Sequence, residues 1–177
     1  MDKSRTAVMG IGNILMQDEG IGVHIIKQLE QYHFTPHIAL IDGGNMGMDL
    51  LPFFDEHGRM IIVDAVDFEK EPGFINTIEN DDILALFTTK MSLHHLGLKD
   101  VLSYAKLLDQ IPEDICLIGI QPEKVEMEMA LSETVSSQMD NLTSLVLQKL
   151  KTWGITHQSK LAYNHQSKLA DWTPRSL

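Results

Sequence analysis

The sequence has one cysteine, Cys116, which excludes an internal disulfide and any thiolate cage for a metal and suits a reducing cytoplasm. Cys116 sits in the apolar run CLIGI, where a thiol packs as a small hydrophobe. Long apolar runs are missing too: none approaches the roughly 18 residues that span a bilayer. The opening MDKSRTAVMGIGN moves straight into a short strand-like run, without the apolar stretch and cleavage site of a secretory signal. Cationic charge is scarce, with 14 Lys and Arg against 25 Asp and Glu, a formal net charge of −11. Such a field repels phosphate backbones and anionic lipid, so neither nucleic acid nor membrane is an expected partner. Familiar catalytic signatures are also lacking. There is no HExxH of an ordinary zincin and no GxSxG of a serine hydrolase. Gly10 and Gly12 begin a dinucleotide fingerprint, but Leu15 stands where its third glycine belongs, and no Lys-Ser or Lys-Thr pair follows that loop to make a P-loop.

What is present describes one soluble, cytoplasmic globular domain. A chain of 177 residues with 44% hydrophobic and 22% charged residues buries roughly two-thirds of its unfolded surface. Short apolar runs bounded by Gly, Asp or Pro read as buried strands over 7–12, 38–41, 60–66 and 115–120. A fifth run, 74–78, alternates more and is placed at an edge. Helical patterns cover 20–32, 47–54, 98–108 and 132–150, with Ile21, Ile25 and Leu29 sharing one face and Leu142, Val146 and Leu150 another. Strands alternating with helices imply an α/β sandwich with a roughly five-stranded, mostly parallel sheet. Ser132 caps the last helix and Gly154 follows its end. The domain is therefore expected to span 1–154. Residues 155–177, which carry HQSKLA twice, are expected to be an appended polar, mobile tail. His157 and His165 are not expected to share a metal.

The informative stretch is GIGNILMQDEGIGVHII: a strand ending in glycines, a short loop, two adjacent acids and a helix. Such loops lie outside the carboxyl end of a strand, where α/β proteins bind ligands. One acid suffices to cap the helix, and Asp18 is read in that role. Glu19 is then left to point over the strand ends. Asp64 closes the run MIIVDAV, and a charge at the end of a buried strand is costly unless a partner or ion compensates it. The third group comes from SLHHLGL, where His94 and His95 precede a helix and spacing does not choose between them. Two carboxylates and one imidazole from three loops make an open O/O/N site for a borderline divalent metal, with positions left for water or substrate.

These segments resemble the endopeptidases that mature the large subunit of nickel-iron hydrogenases. The resemblance covers about residues 5–153, through GIGNILMQDEGIGV, DGGNMGMDLL, IIVDAV, LFTTKMSLHHLGLKDVL and IGIQPE in that order. It implies a sheet flanked by helices on both faces and a metal-binding trio of Glu19, Asp64 and His94. It also implies removal of a C-terminal extension from the large-subunit precursor after nickel insertion, the nickel arriving on the precursor. Asp42, in DGGNMG, matches a further acid of the pattern that helps shape the cleft; read locally it is equally an Asx-turn residue. Leu93 replaces a proline of that pattern, and His95 a polar residue, which offers a second candidate imidazole.

A monomeric endopeptidase acting on the nickel-loaded precursor, with no organic cofactor, is the expectation. Its competitor from another class is a nickel-sensing chaperone that binds the precursor without cutting it. A nucleotide-binding module fits less well, lacking the third glycine and the P-loop lysine.

Overall fold

The structure, a computed structural model, describes residues 5–89 and 96–161. The strands are β1 (Thr6–Ile11), β2 (Tyr32–Thr35), β3 (Ala39–Gly44), β4 (Arg59–Ala65), β5 (Ile75–Glu79), β6 (Asp114–Ile120) and β7 (Thr156–Ser159). The helices are α1 (Ile21–Leu29), α2 (Leu51–Glu56), α3 (Asp81–Thr89), α4 (Leu96–Leu107), α5 (Glu133–Ser137) and α6 (Met139–Thr152), and short 3-10 turns lead into α1 and α2. Five strands form one sheet in the order β3-β1-β4-β6-β5, parallel except for the edge strand β5. This is the mixed, mostly parallel α/β sheet that the apolar runs imply. No helix of the described residues is long and apolar enough to cross a membrane.

Parallel strands buried on both faces read as continuous apolar runs, and β4 and β6 each bury six consecutive residues. Side-chain alternation divides them between two cores. Val8, Ile61, Val63 and Ile118 pack under α1, α5 and α6, whereas Met9, Met60, Ile62 and Leu117 pack under α2, α3 and α4. Cys116 is fully buried in the first core. Burial pushes its thiol up to about 11, with Lys149 opposing and Glu79 adding to the shift, which denies it a thiolate nucleophile at neutral pH.

Helix α1 lies under the sheet's first face, while β3 and β4, the neighbours of β1, lead into elements of the other face. A crevice therefore opens at the carboxyl end of β1, as expected where the connections diverge. Gly22 lets α1 approach so closely: a Cβ there would overlap carbonyl oxygens of Ile11 and Val63.

The approach to α1 is fixed by Asp18, though not by capping. Gly20 is the N-cap of α1, and no side chain caps it. Asp18, 0% exposed, instead accepts hydrogen bonds from the Glu123 and Lys124 amides (both 2.9 Å), the Ser132 amide (2.7 Å) and the Ser132 hydroxyl (2.8 Å). The same Ser132 Oγ accepts from the Val135 amide at 3.2 Å and so caps α5, a short helix separate from α6, where one helix over 132–150 is expected from sequence. Gln17 N–H adds a bond to the Glu128 carbonyl at 2.7 Å. One buried carboxylate thus ties the loop after β1 to the loop after β6.

Described residues beyond the boundary expected at Gly154 pack onto the domain. Gly154 does end the helix with φ +80°, but Ile155 is buried and β7 pairs antiparallel with β2, Tyr32 facing Ser159 and Thr35 facing Thr156. Residues 155–159 belong to the domain, and His157 packs edge-on against Tyr32 at 5.5 Å. Strand β7, THQS, is exposed throughout and carries no apolar signal. The pairing with β2 also explains why the first helix stops at Leu29, short of the expected Tyr32.

Two stability measurements follow. Asp18→Ala leaves three backbone N–H groups without their acceptor and is expected to lower urea-derived stability by about 3 kcal/mol; a loss under about 1 kcal/mol would show that water replaces the carboxylate. Truncation after Gly154 removes Ile155 from the core and β7 from β2. It is expected to cost about 2 kcal/mol or more, from the apolar side chain alone, and an unchanged melting temperature would restore the earlier boundary.

Candidate active site

The sheet's carboxyl edge holds a cleft of about 210 Å³, walled by Ile11 and Gly12 at the end of β1, Gly44 and Asn45 at the end of β3, Leu50 of the 3-10 turn before α2, Asp64 and Ala65 of β4, and Leu98 of α4. Glu19 projects from the 3-10 turn Gln17–Gly20 to complete it. Glu19 and Asp64 are the ionisable side chains among its described lining residues, one from a 3-10 turn and the other from the end of β4, 45 residues apart in sequence.

Local geometry brings each carboxylate there. Gly12 has φ +126°, and a Cβ on it would overlap the Glu19 carbonyl oxygen, so only glycine lets the turn fold back onto the end of β1. The Gly12 amide donates to the Gly44 carbonyl at 3.1 Å, joining the loops after β1 and β3. Between Gly10 and Ile11 the β1–β3 register shifts, Gly10 facing Asp42 and Ile11 facing Gly44. Such a bulge redirects the chain at the site's rim. Glu19 itself is half-buried. Asp64 is 5% exposed, shares the face of Ile62 by alternation and stands beside Gly119 of β6.

Of the residues singled out from sequence, Glu19 and Asp64 meet in this cleft. Asp18 does not: the expected cap is the buried anchor described above. Asp42 is exposed on the edge strand β3 and is not among the residues that wall the cleft, to which its own segment contributes Gly44 and Asn45. His94 and His95 lie outside the described residues, while Leu98, four positions after His94, stands on the cleft wall. Among the described residues no three His, Cys, Asp or Glu side chains gather as a metal cluster. His24, on α1, is not a wall residue; burial and then Lys27 hold its imidazole below the ordinary value, favouring the neutral ring.

Gln121 has a structural part that its motif IGIQPE does not announce. Its Oε1 accepts from the Phe68 amide (2.7 Å) and the Lys70 amide (3.3 Å), and its Nε2 donates to Asp67 at 3.2 Å. The loop after β4, which follows Asp64, is thereby held to the end of β6. The adjoining Pro122 leads into the segment that Asp18 grips.

The arrangement suits a cation or a polarised group brought to two carboxylates at the bottom of an open crevice. Residues 23–149 match the family model described as hydrogenase maturation protease. Hydrogenase expression/formation protein HupD of Rhodobacter capsulatus is 40% identical over 154 residues, covering 85% of this chain and 73% of that one. Hydrogenase 2 maturation protease of Escherichia coli (strain K12) is 38% identical over 153 residues, covering 85% of this chain and 93% of the relative. The solved structure of the hydrogenase maturating endopeptidase HybD from E. coli aligns with a TM-score of 0.83 at 36% identity, over 89% of this chain and 99% of that one. With a buried two-sided sheet, a carboxylate cleft at its switch point and relatives that match over most of their length, this chain belongs to the hydrogenase maturation protease family.

Proposed function

We propose that this protease removes the C-terminal extension of a nickel-iron hydrogenase large-subunit precursor after nickel insertion, and that Glu19, Asp64 and His94 engage the nickel that the precursor carries. The observation that supports this most is the convergence of Glu19 and Asp64 in one cleft at the carboxyl ends of β1 and β4. Two carboxylate oxygens and one imidazole nitrogen are a donor set suited to a borderline divalent ion. His94 is the family-matched imidazole, and its four-residue separation from Leu98 on the cleft wall bounds the Cα distance at about 14 Å.

The ion is part of the substrate in this reading. Three protein ligands, two of them carboxylates and none a thiolate, form an incomplete shell that holds a metal less firmly than a closed structural site. The nickel on the precursor completes its coordination with groups from both proteins. It thereby fixes the segment to be cut against the cleft, converting a loose encounter into a positioned one. A precursor without the ion offers the carboxylates nothing to bind, so cleavage becomes a check on metal insertion.

Glu19→Ala, Asp64→Ala and His94→Ala are each expected to stay folded and to slow processing of nickel-loaded precursor at least about a hundredfold, the scale of a lost positioning contact. Full activity in one of them removes that residue from the site, and loss in His95→Ala with full activity in His94→Ala reassigns the imidazole. Protein purified without added metal is expected to hold little nickel and to leave nickel-free precursor uncut. Stoichiometric resting metal, or equal cleavage of loaded and nickel-free precursor measured by mass, would make the cleft a resident metal site instead.

A further inference from the structure

Among the described residues, the large exposed hydrophobics are not scattered. Leu15, Met46, Met48, Phe74, Met127 and Met129 all stand on loops at the edge of the sheet that holds the cleft. Leu15 follows β1, Met46 and Met48 follow β3, and Met127 and Met129 follow β6. Phe74 precedes β5, whose antiparallel pairing of Ile75 with Ile120 puts it at the same end. The others, Tyr104 and Leu107 late in α4, Leu108 just after it and Leu161 after β7, stand apart from this group. Exposed apolar side chains taken singly are ordinary, but a segregated group marks a contact surface.

This exposure is not slackness. Met127 is 90% and Met129 62% exposed on a loop pinned by Asp18 at Glu123, Lys124 and Ser132, and held between them by the Gln17 amide on the Glu128 carbonyl. A buried carboxylate is spent on holding a loop that offers two methionines to solvent. Preorganisation of this kind lowers the ordering cost of binding. Methionine is unbranched and polarizable and fits irregular apolar partners.

The charge on the same loops has one sign in excess. Asp49, Asp67, Glu69, Glu71, Glu123 and Glu126 are all exposed, against Lys70 and Lys124 in those segments. We propose that this acidic, methionine-bearing rim docks the precursor through an extended segment that carries apolar side chains together with lysine or arginine, beside the bond that is cut. The rim shares the sheet's carboxyl edge with the cleft, whose wall residues Asn45 and Gly47 flank Met46, and its charge complements such a segment. The inference rests on the protease reading above, to which it adds a recognition surface.

The test is equilibrium binding of nickel-loaded precursor, with cleavage followed in parallel. Met127→Ser combined with Met129→Ser is expected to weaken binding about tenfold, the loss of one moderate interface anchor, without lowering the melting temperature. Glu123→Lys combined with Glu126→Lys is expected to weaken it as well and to flatten its dependence on salt. Tyr104→Ser combined with Leu107→Ser, on the remote group, is expected to change neither. Wild-type affinity in both rim variants overturns the docking surface, as does equal weakening by the remote pair. Wild-type protein that binds precursor without cutting it overturns the protease reading while the rim comparison still stands, and wild-type protein that does not bind it overturns both.

Discussion

The active edge of this molecule depends on one carboxylate that never meets solvent. Asp18 satisfies three backbone amides and a hydroxyl from a loop more than a hundred residues away, and a buried charge is tolerable only with that degree of satisfaction. Because Asp18 is committed downward into the protein, its neighbour in the 3-10 turn is presented to the cleft. The pair divides the work that two adjacent acids offer: one holds the frame, the other lines the cleft. Gly12 completes the arrangement, since any side chain there would displace the Glu19 backbone.

Asp64 reaches the same place by a different route. A strand buried on both faces has no room for a charge except at its end, where the sheet's edge opens; beside it, Gly119 of β6 makes room for the Phe68 ring and Val66, which pack where a Cβ would stand. Gln121 then closes the loop after β4 against β6, so that the turn that carries Glu19 and the loop that follows Asp64 are each held by side-chain hydrogen bonds. A rigid frame of this sort is what a positioning role requires, because the reaction gains from a site that needs no rearrangement to receive its substrate.

Much of this was legible in the sequence because it is local. The runs ending at Gly12, Val66 and Ile120 have the length and apolar continuity of two-sided strands, and Ser132 and Gly154 mark helix ends by their own chemistry. Asp64 could be singled out because an acid at the end of a buried strand is expensive, and Glu19 because one acid suffices to cap a helix. Asp18 could not be read correctly, since an acid just before a helix looks the same whether it caps that helix or binds amides of a distant loop. β7 escaped for the opposite reason: its polar residues have no period, and only pairing with β2 makes them a strand. α3 has no counterpart in the sequence expectation, and β2 hides behind a helical pattern that continues to Tyr32. Gln121 and Gly12 act through contacts that exist only once the sheet is assembled.

The central claim is that Glu19 and Asp64 are ligands to an ion that another protein delivers. X-ray absorption at the nickel edge, on nickel-loaded precursor before and after it binds this protein with the scissile bond blocked, tests that claim most directly. The account predicts that complex formation adds oxygen ligands to the nickel, that Glu19→Ala and Asp64→Ala each remove part of that gain, and that Asp42→Ala leaves it intact. A nickel spectrum unchanged on binding would contradict the account.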